Sequence, residues 1–334
     1  MANTAKTFMR NRWAVTCTGV LIALYAMAAF AGFLAPYGYG DEDRGHSFCP
    51  PTPIVMFENG NLVRPFVHGR VLRFDENRRR VYDIDPAQKY PLKFFHNGRL
   101  FGVDAPGRVY LWGADSRGRD MFSRILYGAR ISLSIGLVGV AIAFTLGLLV
   151  GGIAGYYGGW VDGFLMRLCE VFMMVPGFYL MLAMRSAVPD NFNSVQIYCS
   201  VVVILSFIGW ASLARVIRGM TLSLSQRDYV LAAKTLGVSD IGIIMRHVLP
   251  HTVSYSMVAL MLSIPGYILG EAGLSLLGLG IQDPVPSWGN LLSDAMGIVQ
   301  IQFAPWILVP GIFIFVSVIC FNVVGDALRD SLEN

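Results

Sequence analysis

The sequence predicts an all-α polytopic membrane protein of about six transmembrane helices, with a small β-rich insert between the first two spans. Three observations carry this. Of 334 residues, 54% are hydrophobic and only 14% are charged, with a mean hydropathy of +0.54, whereas soluble domains carry about 25% charged residues. Apolar segments near 13–35, 131–155, 164–188, 197–214, 252–272 and 305–325 each approach the ~20 residues a helix needs to cross a bilayer. Helices follow because lipid offers backbone polar groups no partner. Residues 38–113 depart from this pattern, with mixed charges and short apolar runs.

The net charge of +4 fits the lysine and arginine bias of membrane-flanking loops. No basic run with interleaved aromatics marks a nucleic-acid surface, so lipid is an expected partner and nucleic acid is not. Cys17, Cys169, Cys199 and Cys320 fall in apolar runs and none forms a CxxC pair; they read as small hydrophobes, not as metal ligands or a disulfide framework. Cys49, in the insert, reads as a free thiol.

Lys6, Arg10 and Arg12 precede the first apolar run, Trp13 to Pro36. That run outlasts the ~7–15-residue core of a signal peptide, so it reads as a retained anchor; Ala26-Met27-Ala28 is the competing, cleavage-like reading. The three basic residues put the N-terminus in the cytoplasm. Arg215, Arg218, Arg227, Lys234 and Arg246 put the loop after the fourth span there too. Six crossings return the C-terminus, with Arg329, to the same side. The segment 38–113 is then external, and its arginines, Arg78-Arg79-Arg80 among them, are tolerated because long domains translocate largely regardless of charge. Within it, Asn59-Gly60 and Asn97-Gly98 lie between β-forming runs, a strong hairpin signal because a type I′ turn needs positive φ twice. Val71–Phe74 and Val81–Ile84 read as strands; a partly ordered loop is the competing reading. The expected division is 1–37, cytoplasmic N-terminus and first span; 38–113, external β-rich insert; and 114–334, a core of five spans with a cytoplasmic loop over 215–251.

Past the insert come Gly113-Ala114-Asp115, Gly118-Arg119-Asp120, Ser123-Arg124 and Gly128-Ala129-Arg130, a polar turn leading into an arginine-rich amphipathic helix that enters the second span. Two readings stand: an interfacial helix that anchors the bundle, or a direct contact with an external partner. Gly151-Gly152 and Gly278-Leu279-Gly280 are expected to permit close helix packing. Tyr156-Tyr157-Gly158-Gly159-Trp160-Val161-Asp162 has the aromatics of a membrane-interface loop. In the third span Arg167 and Glu170 are three apart and can pair. Intramembrane charges are functional candidates by default, while a place near the cytoplasmic end favours fastening neighbouring helices. Pro176 is expected to kink this span.

The most informative stretch is Asp228–His251, polar enough to be soluble yet set between apolar runs. Ala232-Ala233 let another surface approach closely, Gly237 permits a sharp turn between two short helices, and Pro250 stops the second helix or opens the next. The pattern is that of a docking surface. Chemistry is missing by contrast. No GxxxxGK[ST], HExxH or GxSxG occurs, and His46, His68, His96, His247 and His251 all lie outside the spans, so neither a catalytic constellation nor a metal site nor a bound cofactor is expected.

Asp228–His251 resembles the cytoplasmic "EAA" loop of ATP-binding-cassette (ABC) transporter permeases, with Leu231 where that motif has Glu and His247 where it usually has Ile. Leu111–Leu133 resembles the GTDxxGRDxxSRxxxGARxSL stretch of peptide permeases, with Ala114 for Thr. Tyr156–Asp162, Arg167, Glu170 and Pro176, Glu271–Gly280, Pro284, Pro286-Ser287-Trp288-Gly289, Asn322, Gly325-Asp326 and Arg329-Asp330 fit the same family, in order, over roughly 110–330. The resemblance is to the second ("C-type") permease of oligopeptide, dipeptide and nickel importers. It implies the type I importer fold in a bacterial inner membrane, a homologous second permease, two ATPase subunits inside and a substrate-binding protein outside. ATP and Mg would be used by those partner subunits, and this chain would be no enzyme. Tyr229, Ala232, Ala233, Gly237, Arg246, His247 and Pro250 would then dock the ATPase, and Asp115, Gly118, Arg119, Asp120, Arg124 and Arg130 would form the external or interfacial motif. Peptides are the expected cargo, with nickel or a metal chelate as the alternative. A self-sufficient secondary transporter or channel is the reading from another class; it would need ion-coupling acids, for which Glu170 and Glu271 are the candidates. An adhesion or sensory module on an anchor would need one span, not six.

Overall fold

The structure, a computed structural model, describes residues 7–58, 60–76, 80–189 and 191–333. In chain order its main helices are α1 (Arg12–Ala29), α2 (Met121–Tyr157), α3 (Gly159–Met174), α4 (Gly177–Ser186), α5 (Ser194–Ser225), α6 (Asp228–Thr235), α7 (Asp240–Ile243), α8 (Leu249–Leu276) and α9 (Val309–Glu333). Among the described residues five helical stretches are long and apolar enough to cross a membrane: Arg12–Ala29, Met121–Tyr157, Ser194–Ser225, Tyr255–Leu276 and Pro305–Leu332. A sixth crossing exists only if α3 and α4 count together, and these are bent 88° from each other. The expected kink at Pro176 is therefore a break. Val175 and Pro176 both take extended backbone angles: proline disfavours the helical region for the residue before it and brings no N–H of its own.

α2 and α5 run past the apolar segments that mark them, α2 beginning at Met121 and α5 reaching Ser225. Apolar patterning sees only the lipid-facing middle of a helix. The charged ends continue helical because Arg124, Arg130 and Arg218 find partners inside the protein.

The insert holds a three-stranded antiparallel sheet of order β1-β2-β3, from β1 (Val55–Glu58), β2 (Asn61–Phe74) and β3 (Arg80–Pro91), and a two-stranded one from β4 (Lys93–Phe94) and β5 (Phe101–Gly102). The expected strands pair with each other, Arg70 opposite Ile84 and Arg73 opposite Val81. Asn97 and Gly98 both take positive φ, 50° and 75°, and Arg99 N–H donates to the His96 carbonyl at 3.0 Å, closing the corner between β4 and β5. Glu58 faces Asn61 across the other hairpin, with Gly60 at φ 81°; Asn59, Arg78 and Arg79 lie outside the described residues. Val67, Leu92, Val103 and Val109 form one core beneath the sheets, and Cys49, Tyr82, Tyr110 and Ala114 another.

The chain divides into two compact units. The first takes residues up to Leu21, Ser134–Glu271 and the residues from Val316. Inside it α2 approaches α5 closely: a side-chain carbon at Gly155 would sit 2.6 Å from the Arg218 carbonyl, as expected of small residues at a helix contact. The second unit takes Ile22–Leu133 and Ala272–Phe315 and includes both sheets. Here Gly278 does not mediate packing as expected. Among the described residues nothing lies within 4 Å of where its side chain would be, and it takes φ 74°. It ends α8 with a left-handed residue, Leu279 N–H donating to the Leu274 carbonyl at 2.9 Å.

Candidate functional site

Asp228–Pro250 folds as the sequence predicts locally. Asp228 stands in the first turn of α6 and Lys234 in the last, both complementing the helix dipole. The helix closes on Gly237 at φ 79°. Gly237 N–H donates to the Lys234 carbonyl at 3.1 Å and Val238 N–H to that of Ala233 at 3.2 Å, the Schellman pairing that needs a left-handed residue. Ser239 then caps α7 by accepting from Gly242 N–H. A π-turn, Ile244–Val248, leads into α8, where Pro250 is the second residue. Proline opens the next helix here; it does not stop the preceding one.

The two faces of this element differ. Val230, Ala233, Ile243 and Val248 form its core, with Tyr156 and Leu224 against them, and Tyr156 Oη donates to Asp240 Oδ1 at 2.6 Å. Ala233, expected on the docking face, is therefore inside, where a small residue lets α6 sit close. Tyr229, Ala232, Gly237, Arg246 and Pro250 are exposed and His247 is half-buried. Beside them stand residues that the sequence pattern did not single out: Leu236 is 83% and Ile241 71% exposed, with Val238 and Met245 also outward. Polar surroundings masked this apolar knob, which only the turn at Gly237 assembles.

The motif heading the second span is tied together by an ion-pair network that the sequence readings did not include. Asp115 Oδ1 accepts the Arg117 and Arg119 N–H groups at 2.8 and 3.0 Å, and its Oδ2 accepts Arg119 Nε at 2.7 Å and Arg124 Nη1 at 2.8 Å. Gly118 turns the loop back, its N–H donating to the Asp115 carbonyl at 3.0 Å. Asp283 accepts both terminal nitrogens of Arg119, at 2.9 and 3.2 Å, and Arg124 Nη2 at 2.7 Å. Arg119 and Arg124 are buried. Arg130 donates to the carbonyls of Ala28 and Ala29 at 2.6 and 2.9 Å, capping the C-terminus of α1 as a cation should. These arginines hold the second unit together. Arg119 and Arg124 are buried against carboxylates, while Arg130 stays exposed with its nitrogens on two helix-end carbonyls.

Asp120 caps α2, its Oδ2 accepting Ser123 N–H and Oγ–H at 2.8 and 2.6 Å, while its Oδ1 is buried with no hydrogen-bond partner among the described residues. Burial pushes its carboxyl up to about 7 against those hydrogen bonds. Burial also raises Asp115, opposed by Arg119, and raises Asp294, to which the charge of Asp115 adds. For Arg119 burial acts downward, but Asp115 and Asp283 outweigh it and hold the guanidinium protonated.

In the third span Arg167 Nη1 meets Glu170 Oε2 at 2.9 Å, and Arg215 Nη2 approaches Glu170 Oε1 at 3.6 Å. About two turns nearer the start of α3 than Glu170, Arg218 grips Asp162 through Nε at 2.8 Å and through Nη2. Glu271 is buried. Sequence reasoning missed Asp283, Asp294 and the Asp162–Arg218 pair as site members. Asp283 joins partners 159 and 164 residues away, a separation no local pattern records. Among the described residues no group of three or more His, Cys, Asp or Glu is placed to hold a metal ion.

Residues 147–334 match the family described as the binding-protein-dependent transport system inner membrane component. Residues 1–51 match the N-terminal transmembrane domain of oligopeptide transport permease C. The oligopeptide transport system permease protein OppC of Haemophilus influenzae is 39% identical over 67% of this chain and 70% of its own length. The glutathione transport system permease protein GsiD of Pectobacterium atrosepticum is 39% identical over 69% and 74%, and the dipeptide transport system permease protein DppC of Bacillus subtilis 37% identical over 68% and 69%. Five apolar helices, a bent pair able to make a sixth and a family match over residues 147–334 lead to one conclusion: the chain is a multi-pass membrane permease of the binding-protein-dependent ABC importer family, with the type I fold.

Proposed function

We propose that this chain is one of two homologous permeases through which an ATP-driven importer passes peptides across a bacterial inner membrane. Relatives named for oligopeptides, dipeptides and glutathione support peptide cargo over nickel. ATP and Mg act in two separate ATPase subunits, this chain carries out no chemical step, and an external binding protein delivers the cargo. Both termini lie in the cytoplasm and the insert, 38–113, lies outside. Arginines and lysines from Arg215 to Arg246 support that orientation.

The observation that carries the reading is the apolar knob of Leu236 and Ile241 held on the Gly237 turn. A soluble element that exposes such side chains while burying its opposite face fits a cleft in a partner. Closure of the ATPase pair moves this element, and the spans switch between inward- and outward-facing states. The test is co-purification from detergent-solubilised membranes, paired with uptake. Gly237→Val forces a β-branched residue into a left-handed conformation, and Leu236→Asp/Ile241→Asp keeps the turn but charges the knob. Both are expected to insert normally, to lose the ATPase subunits and to abolish peptide uptake. Normal uptake by both would overturn the docking assignment, and transport by the chain alone in liposomes without ATP would establish a secondary transporter instead. Uptake of nickel ions in preference to peptides would overturn the cargo.

A further inference from the structure

We propose that the cleft between α3 and α5 binds the phosphate of an anionic phospholipid. Its residues lie in one compact unit. α3 opens with a projecting aromatic group: Trp160 is 80% and Phe164 58% exposed, their rings stacked with centroids 5.8 Å apart, and Tyr157 is exposed just before them. Exposed Trp and Tyr at the end of a membrane helix mark headgroup level. Seven residues beyond Trp160, ~10 Å along a helix that rises ~1.5 Å per residue, stands Arg167. It faces Arg215 across a cleft of about 330 Å³ that Asp162, Glu170 and Arg218 also line.

The charges in this cleft do not balance. Asp162 is taken up by Arg218, which holds it through two nitrogens. Glu170 is shared: Arg167 hydrogen-bonds it at 2.9 Å, and Arg215 comes only to 3.6 Å, beyond hydrogen-bond range. Three guanidiniums face two carboxylates, so Arg215 is left without a hydrogen-bonded carboxylate, and Arg167 beside it stands 83% exposed on the open side. An uncompensated guanidinium beside hydrocarbon is costly. A phosphate relieves that cost because it accepts paired N–H donors from a planar guanidinium. A lipid phosphate held by Arg167 sends its acyl chains on toward the bilayer centre, along the exposed Val171 and Met174 of α3, while Trp160 stays at headgroup level. Basic pockets between membrane helices take anionic headgroups by this chemistry. The inference needs only the membrane-spanning character of the chain, and its readout is lipid retention, so the peptide assignment can fail without affecting it.

The experiment is native mass spectrometry of the complete importer released from nanodiscs containing equal phosphatidylglycerol and phosphatidylcholine. The expected result is selective retention of phosphatidylglycerol by the unmodified protein. Arg167→Gln/Arg215→Gln should lower that retention at least fivefold without changing phosphatidylcholine, while Arg167→Lys/Arg215→Lys keeps most of it. If the glutamine pair does not assemble, Glu170→Gln frees both guanidiniums and should at least double retention. Equal retention of the two lipids, no change in either variant, or equal displacement by millimolar inorganic phosphate in detergent each overturns the proposal. A cross-link from Arg167→Cys to the second permease with phosphatidylglycerol excluded would assign the cleft to a subunit contact and likewise overturn it.

Discussion

Arg119 and Arg124 are 3% and 2% exposed, a burial that charged side chains reach only when paired. Asp115 and Asp283 supply the pairing, and removing one member strands the others. Arg119→Ala leaves two carboxylates sharing Arg124, with Arg117 reaching Asp283 only at 3.6 Å, and is expected to cost about 3–5 kcal/mol, read as a large fall in the thermal midpoint and yield of the assembled importer. Arg119→Lys recovers little, since a lysine cannot span Asp283 with two nitrogens. Asp120 makes a pH prediction. Its folded value, about 7, lies above its ordinary 3.8, so the folded protein binds the extra proton. The stability it contributes is complete below its ordinary value, is lost as pH rises toward 7, and stays lost above it. Asp120→Asn imitates the protonated form and should flatten the fall of the thermal midpoint between pH 4 and 7. An unchanged slope would show that Asp120 does not hold the proton.

At the scale of elements, the same terminating geometry recurs at Gly237 after α6 and at Gly278 after α8. In each case a left-handed residue ends a helix sharply and redirects the chain, presenting the apolar knob in one case and the loop bearing Asp283 in the other. Helix contact is the second element-scale device. Gly155→Leu would drive a branched side chain into the α5 backbone near Arg218 and Thr221. Overpacking of this kind costs about 1–3 kcal/mol. It should lower stability and uptake together, with the Asp115–Asp283 cluster intact; a fully stable Gly155→Leu protein would contradict the close approach of α2 and α5.

For the whole molecule, the two family matches end at residue 51 and resume at 147, and both sheets fall between them. We propose that the insert meets the binding protein. Phe57 and Leu62 pair across β1 and β2 and are 69% and 76% exposed, an apolar cross-strand pair facing solvent. Deleting residues 45–108 should leave ATPase co-purification unchanged but reduce peptide uptake. Phe57→Asp/Leu62→Asp, which keeps the strands, should do the same to a smaller degree. Unchanged uptake in both would remove the insert from cargo delivery.

The sequence alone determined the membrane class, five of the spans, the Asn97-Gly98 corner and the helix–glycine–helix element, because apolar run length, an Asn-Gly pair and a glycine between short helices act over a few residues. It also carried the family, since the motifs keep their order along the chain. Only the tertiary structure decided how these residues are used. The Arg119–Arg124 motif turned inward because Asp283, far along the chain, comes to meet it. Ala233 went inside and Leu236 outside because the left-handed turn sets which face of α6 is covered. Pro176 separated α3 from α4 by 88° where the sequence marks only a kink, since the angle is fixed by what each half packs against. Burial, ion pairing and bend angle depend on partners brought from elsewhere in the chain, and periodicity within one segment does not contain them.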